Sequence, residues 1–202
     1  MNEKLEEKLI VEVKKNPSIL KKITNQTEAI CLAAVKRNGY ALINVIHQNE
    51  AICLEAVKQY GIVLQHVEHQ TEAICLEAVK EDVDALRYVK DQTEAICLKA
   101  VKENGYALKH VKSQTKKICL TAINQNLDSG RFIKFNFIKK NDALIILKAY
   151  LNYNRKDKDI LTRIIKQFND DKKFTDFYTK HNLWKYVDFD ELNNLSIYSM
   201  VL

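Results

Sequence analysis

One proline and four glycines in 202 residues are too few for the many tight turns of a β-rich fold, and they point to helices joined by short connections. The expected class is all-α. No stretch approaches the roughly 18 uninterrupted apolar residues of a membrane-spanning helix. The opening segment Met1-Asn2-Glu3-Lys4-Leu5-Glu6-Glu7 mixes both charges ahead of any apolar run, unlike a secretory leader. An intracellular protein without membrane association is expected. The sequence also lacks a G-x-x-x-x-G-K-[ST] phosphate loop, an H-E-x-x-H helix, a G-x-S-x-G elbow and a dinucleotide glycine fingerprint. Neither an enzyme nor a cofactor is expected.

What the chain has instead is one heptapeptide. Gln-Thr-Glu-Ala-Ile-Cys-Leu begins at Gln26 and returns, nearly unchanged, at Gln48, Gln70, Gln92 and Gln114, with 22 residues between successive copies. A period this short means one supersecondary unit repeated, each copy too small to bury its own apolar face and therefore stacked on its neighbours. Each copy opens with an N-cap residue, Thr27, Asn49, Thr71 or Thr93, followed by Glu28, Glu50, Glu72 or Glu94 in the first turn. Lys36, Lys58, Lys80 or Lys102 stands near the far end, so both ends suit the helix dipole. This predicts a first helix of about ten residues, roughly 15 Å long.

Gly39, Gly61 and Gly105 follow at the position where a left-handed residue closes a helix. Val83 breaks that pattern and predicts a different connection in the third repeat, because a β-branched residue resists a left-handed backbone. A shorter second helix carries Leu42 and Val45, Leu64 and Val67, Leu86 and Val89, Leu108 and Val111, each pair three apart on one face. In the fifth copy, Leu127-Asp128-Ser129-Gly130 is expected to disrupt this second helix.

The predicted architecture is an all-α solenoid of tandem 22-residue helix-turn-helix repeats with a C-terminal helical capping unit. Residues 1–25 read as a degenerate N-terminal capping repeat, with Pro17 in place of the later glycine. Residues 26–133 form the tandem repeats. Residues 134–202 form an aromatic-rich unit with helices near Asp142–Tyr153, Asp157–Phe168 and Asp170–His181, then one or two short helices after Asn182. Charge is unevenly distributed along the chain. Residues 1–25 hold six Lys/Arg against four Asp/Glu, residues 26–113 ten against twelve, and residues 114–202 sixteen against ten. A protein tracking a phosphate backbone along its repeats would be basic there, which disfavours nucleic acid as the partner of the repeats.

The fullest copy, residues 92–112, reads Gln-Thr-Glu-Ala-Ile-Cys-Leu-Lys-Ala-Val-Lys-Glu-Asn-Gly-Tyr-Ala-Leu-Lys-His-Val-Lys. It resembles a short helical repeat family of undefined function that is abundant in giant viruses of the mimivirus type and in some amoeba-associated microbes. The resemblance covers roughly residues 26–123 and departs at Val83, Lys116 and Gly130. It implies a repeat scaffold, a host-cytoplasmic or virion location and no catalytic residues to carry over.

One cysteine falls in each copy, beside an isoleucine. Ile30 and Cys31, Ile52 and Cys53, Ile74 and Cys75, Ile96 and Cys97, and Ile118 and Cys119 are read as the structural core, the cysteines acting as small hydrophobes. Packed helices lie about 8–10 Å apart, whereas a disulfide needs Cα atoms within about 7 Å, so no bridges are expected. His66 and His69 have a spacing that metal ligands could use, but no third ligand accompanies them and no metal is expected.

A second set of positions changes from copy to copy, among them Asn44, His66, Tyr88 and His110. Constant apolar positions beneath changing exposed ones describe a scaffold that presents a surface. These four residues are the candidate partner-binding strip. The expected function is a non-enzymatic scaffold for a protein partner, host-directed if the viral resemblance holds. The alternatives are a self-associating structural or virion component and nucleic-acid binding through the basic C-terminal unit.

Overall fold

The structure is a computed structural model and describes residues 2–152, 162–163, 166–167 and 172–180. Every regular element among these residues is helical. The chain divides into two compact units, Met1–Glu103 and Asn104–Leu202.

In the first unit, five α-helices alternate with four 3-10 helices. The α-helices are α1 (Glu3–Lys15), α2 (Glu28–Arg37), α3 (Glu50–Gln59), α4 (Glu72–Glu81) and α5 (Glu94–Glu103). The 3-10 helices are Pro17–Lys22, Gly39–Asn44, Gly61–His66 and Val83–Tyr88. Each α-helix packs on the next, and so do successive 3-10 helices. This is an α-solenoid, and residues 1–25 have the same α-then-3-10 plan as the repeats, with Pro17 opening the 3-10 segment. In the second unit, α6 (Lys116–Gln125) stands between the 3-10 helices Gly105–His110 and Leu127–Phe132. The helix α7 (Lys140–Asn152) packs against α6, joined by a Lys116–Asp142 ion pair of 2.9 Å, and a further helix spans Lys172–Lys180.

The ten-residue α-helices are the ones the caps predict. The side chains of Thr27, Asn49, Thr71 and Thr115 accept the backbone N–H of Ile30, Ile52, Ile74 and Ile118, and Thr93 does the same for Ile96. The threonines also reach sideways. The hydroxyls of Thr27, Thr71 and Thr93 donate to the first-turn carboxylates Glu6, Glu50 and Glu72 of the preceding α-helix, at 2.6, 2.7 and 3.0 Å. The acidic residue thus serves its own helix dipole and ties the next repeat to it.

Four features differ from the sequence expectation. The second element is a six-residue 3-10 helix in every repeat. Its three-residue period sets Leu42 and Val45, and their equivalents, one above the other toward the core. None of Gly39, Gly61 and Gly105 has a positive φ. They are glycine because the next repeat comes too close: a Cβ on Gly39 would lie 2.8 Å from the Ala56 carbonyl oxygen, and one on Gly105 would lie 2.6 Å from that of Ala122. Because the backbone at this register is not left-handed, Val83 needs no different connection. Its 3-10 helix starts after Asp82 at φ −144°, ψ 110°, close to Tyr60 at −144°, 101°, and the Asp82 carboxylate accepts the Asp84 N–H as Asn38 and Asn104 accept those of Tyr40 and Tyr106. Finally, the fifth copy keeps its 3-10 helix, Leu127–Phe132, capped by Asn126. There a local exchange leaves Gly130 where Leu42 stands in the first repeat, while Ile133 remains buried at the Val45 position.

Of the aromatic-rich unit, the expected helix near Asp142–Tyr153 is α7, starting two residues earlier, and the one near Asp170–His181 is Lys172–Lys180. Most of the expected helix Asp157–Phe168 lies outside the described residues, as does everything after Asn182.

Candidate interaction surface

The backbone beneath the candidate strip is held by the repeat's glutamine. In the first unit the Gln26 side-chain amide donates to the Leu20 carbonyl at 3.0 Å and to that of Asn44 at 2.8 Å. Its oxygen accepts the Ile46 N–H at 2.9 Å and the Cys31 thiol at 3.6 Å. Gln70 repeats the set with Leu64, Tyr88, Lys90 and Cys75 at 3.2, 3.0, 2.9 and 3.7 Å. Gln48 makes the equivalent bonds to the His66 carbonyl, the Glu68 N–H and the Cys53 thiol. In the second unit Gln114 binds Leu108, Phe132, Lys134 and Cys119 in the same way.

An amide has two donor hydrogens and two acceptor lone pairs; at Gln26, Gln70 and Gln114 all four are used. Glutamine is the residue that can do this: glutamate lacks the donors, and asparagine is one methylene too short to span from the start of an α-helix to the end of the 3-10 helix that follows it. The staple also gives each cysteine a polar role. Cys31, Cys53, Cys75, Cys97 and Cys119 form no disulfide and are buried, and Ile30, Ile52, Ile74, Ile96 and Ile118 are buried with them. Burial pushes the Cys53 and Cys75 thiols up to about 11, aided by nearby carboxylates, and the Cys119 thiol up to about 12. A thiol kept neutral can donate to the glutamine oxygen, and a thiolate could not.

On this fixed backbone the side chains differ. Asn44, His66 and Tyr88 stand at one register position of successive 3-10 helices in the first unit, each half-buried, with its carbonyl in the staple. The residue before each one, Ile43, Gln65 or Arg87, is exposed, Ile43 to 56%. The Arg87 guanidinium lies 4.6 Å from the Tyr88 ring centre. At the head of the same layer the Tyr40 and Tyr60 rings pack at 5.2 Å, adding exposed aromatic surface.

His110 is half-buried at the equivalent position of the second unit, where its register partner is Phe132. The sequence reading missed Phe132, because the 3-10 helix carrying it was expected to be disrupted. It also missed the glutamines, whose recurrence five residues before every cysteine was the available signal. Among the described residues, no three His, Cys, Asp or Glu side chains gather as a cation site, and no helix is long and apolar enough to cross a membrane.

The fold and this surface define the class: an all-α tandem-repeat protein whose repeats share a backbone lock and differ in the side chains mounted on it. No protein-family model, curated protein or solved structure matches the chain.

Proposed function

We propose that the protein is a non-enzymatic scaffold whose 3-10 layer binds a protein partner. One observation carries this: the carbonyls of Asn44, His66 and Tyr88 are held by a glutamine amide at 2.8, 2.9 and 3.0 Å, while the side chains at those positions are an amide, an imidazole and a phenol. A rigid backbone presenting unlike, half-buried side chains is suited to recognition, because little ordering entropy remains to be lost on binding. The resemblance to giant-virus repeats supports the narrower reading of a host-directed adaptor inside the host cell. Affinity capture from the native cell tests the surface, using the full chain with Asn44, His66, Tyr88 and His110 all changed to alanine. Loss of specific partners supports it, and an unchanged partner set refutes it.

End-to-end self-association is the second reading. It is favoured by α1, which packs on α2 yet exposes Leu5 to 48% and Val11 to 51%. Light scattering across a wide concentration range separates the two, since a strict monomer removes self-assembly.

A further inference from the structure

In the first unit the 3-10 layer carries one apolar ridge. Residues i and i+3 eclipse along a 3-10 helix, so Tyr40 and Ile43 of the helix Gly39–Asn44 lie in line, with Ile46 three residues further on. The Tyr60 ring packs on that of Tyr40, with centres 5.2 Å apart. Tyr40, Ile43, Ile46 and Tyr60 are 39%, 56%, 50% and 48% exposed, and they are four of the seven large apolar side chains exposed among the described residues. The fold does not require them. The register positions of Tyr40, Ile43 and Ile46 hold Ser18, Lys21 and Thr24 in the segment before and Asp84, Arg87 and Lys90 in the third repeat. Tyr60 even comes at a cost to its own helix. Asn16, Asn38 and Asp82 stand at its register position and accept the N–H two residues on, whereas Tyr60 leaves the helix Gly61–His66 without a side-chain cap. The backbone beneath the ridge is fixed: the Gln59 side chain accepts the Gly39 N–H at 3.0 Å and donates to the Val35 carbonyl at 2.6 Å, and Gln26 holds the Ile46 N–H at 2.9 Å.

We propose that this ridge docks an acidic, apolar segment of a partner protein. The inference rests on the reading of the 3-10 layer as a protein-binding surface, and it gives that surface an anchor and its partner a chemistry. A contiguous exposed apolar patch marks an interaction site, and tyrosine is enriched among the residues that carry binding energy. Charge selects the occupant. Lys21 and Lys22 stand one repeat before Ile43 and Asn44, on the 3-10 helix that packs against Gly39–Asn44. Both are exposed, and neither ammonium group forms an ion pair or hydrogen bond among the described residues. No Asp or Glu occurs between Glu12 and Glu28, and residues 38–49 hold no Asp, Glu, Lys or Arg. On the other side, Glu68 is exposed at the register position of Ile46. The field along the ridge therefore runs from positive to negative, and it orients a bound segment with its carboxylates toward the two lysines. A second copy of the chain is the competing occupant, through the exposed Leu5 and Val11 of α1. Those two are six residues apart, about 120° around an α-helix of 3.6 residues per turn, so they offer no matching apolar ridge.

The probe is a display library of random peptides panned on the full chain, with the selected peptides then measured by fluorescence anisotropy. Selected sequences should combine bulky apolar residues with Asp or Glu. Two variants borrow residues from other repeats, Ile43→Gln from Gln65 and Tyr60→Asn from Asn38, so both should fold, and urea unfolding checks that they do. Each should weaken binding by roughly tenfold or more. Lys21→Gln combined with Lys22→Gln, at exposed positions outside the packing, should weaken it less and flatten its dependence on salt. The proposal is overturned if panning yields no binder, if the selected peptides show no excess of Asp and Glu, or if Ile43→Gln and Tyr60→Asn bind them like wild type. In that last case, binding lost in the alanine variant of Asn44, His66, Tyr88 and His110 removes the ridge and keeps the broader reading of the layer, and binding retained by every variant counts against both. A dimer in light scattering that Ile43→Gln makes monomeric also overturns the proposal, because a second copy then covers the ridge.

Discussion

Replacing Gln70 by glutamate would change one NH2 to an oxygen and almost nothing in shape, and the staple predicts that it is costly in a pH-dependent way. The two hydrogens of that NH2 point at the Leu64 and Tyr88 carbonyls, 3.2 and 3.0 Å away. A carboxylate there would face two acceptors with nothing to donate. To keep the fold it must take up a proton, which at pH 7 costs about 3.7 kcal/mol, from an ordinary glutamate pKa of about 4.3 and 1.36 kcal/mol per unit. The protonated group has one donor where the amide had two, so a further loss of about 0.5–1.5 kcal/mol follows.

The sign is the reverse of that for a salt-bridged carboxylate. The folded state raises the pKa of the new carboxyl, so the penalty is absent below about pH 4 and grows as pH rises above it. Urea unfolding of Gln70→Glu and wild type, side by side at pH 7 and pH 4, should show a deficit of about 4–5 kcal/mol shrinking to about 1 kcal/mol. Gln70→Leu, which breaks the same bonds without a titrating group, should show a deficit of about 1.5–4.5 kcal/mol for three lost N–H···O bonds, constant across that range. A Gln70→Glu protein within 1 kcal/mol of wild type at pH 7, or with the same deficit at both pH values, would refute the staple as an energetic feature.

Other expectations can be checked on the same material. Ile74→Ala should cost about 2–5 kcal/mol through a core cavity, measured by the shift in urea midpoint. Thr93→Ala should cost about 1 kcal/mol for the lost N-cap, with little effect beyond the neighbouring repeat in hydrogen exchange. Gly61→Ala should destabilise by about 1–3 kcal/mol through overpacking against the Ala78 carbonyl; a stabilised variant would refute the close-approach explanation. The buried thiols should resist iodoacetamide in the native protein at pH 8 and react once it is unfolded. Because folding raises their pKa from 9.0 to about 11 for Cys75 and about 12 for Cys119, stability should be fully present below about pH 9 and fall as pH rises toward those values.

The period, the ten-residue helices, their caps and the all-α class were legible in the sequence because each depends on residues close together in the chain. Thr27 caps its helix by accepting an N–H three residues along, and Lys36 stands near the end of the same helix, so local rules suffice. The missed features are set by contacts between residues 17 to 20 apart in the chain. Gly39 is glycine because of Ala56, and Gln70 acts on Tyr88 and Lys90. A Leu-x-x-Val pair suits an α-helix or a 3-10 helix equally, and the glutamine network, whose recurrence shows but whose partners do not, accompanies the tighter one. The fifth repeat was misjudged for the same reason. Gly130 and Ser129 alter its side chains, while Gln114 and Asn126 still organise its backbone.

Gln26, Gln70 and Gln114 each reach back six residues and forward five, eighteen and twenty, so every one of these bonds is defined by an offset within the 22-residue register. Gene duplication would therefore copy the fastener along with the parts it fastens. A 22-residue segment inserted between Gln48 and Gln70 would find a Leu-type carbonyl behind it and a 3-10 helix ahead of it at the same offsets, with no compensating change on either side. The array can grow or shrink by whole repeats without passing through a poorly joined intermediate, and each added repeat brings one more position at which a surface side chain is free to vary.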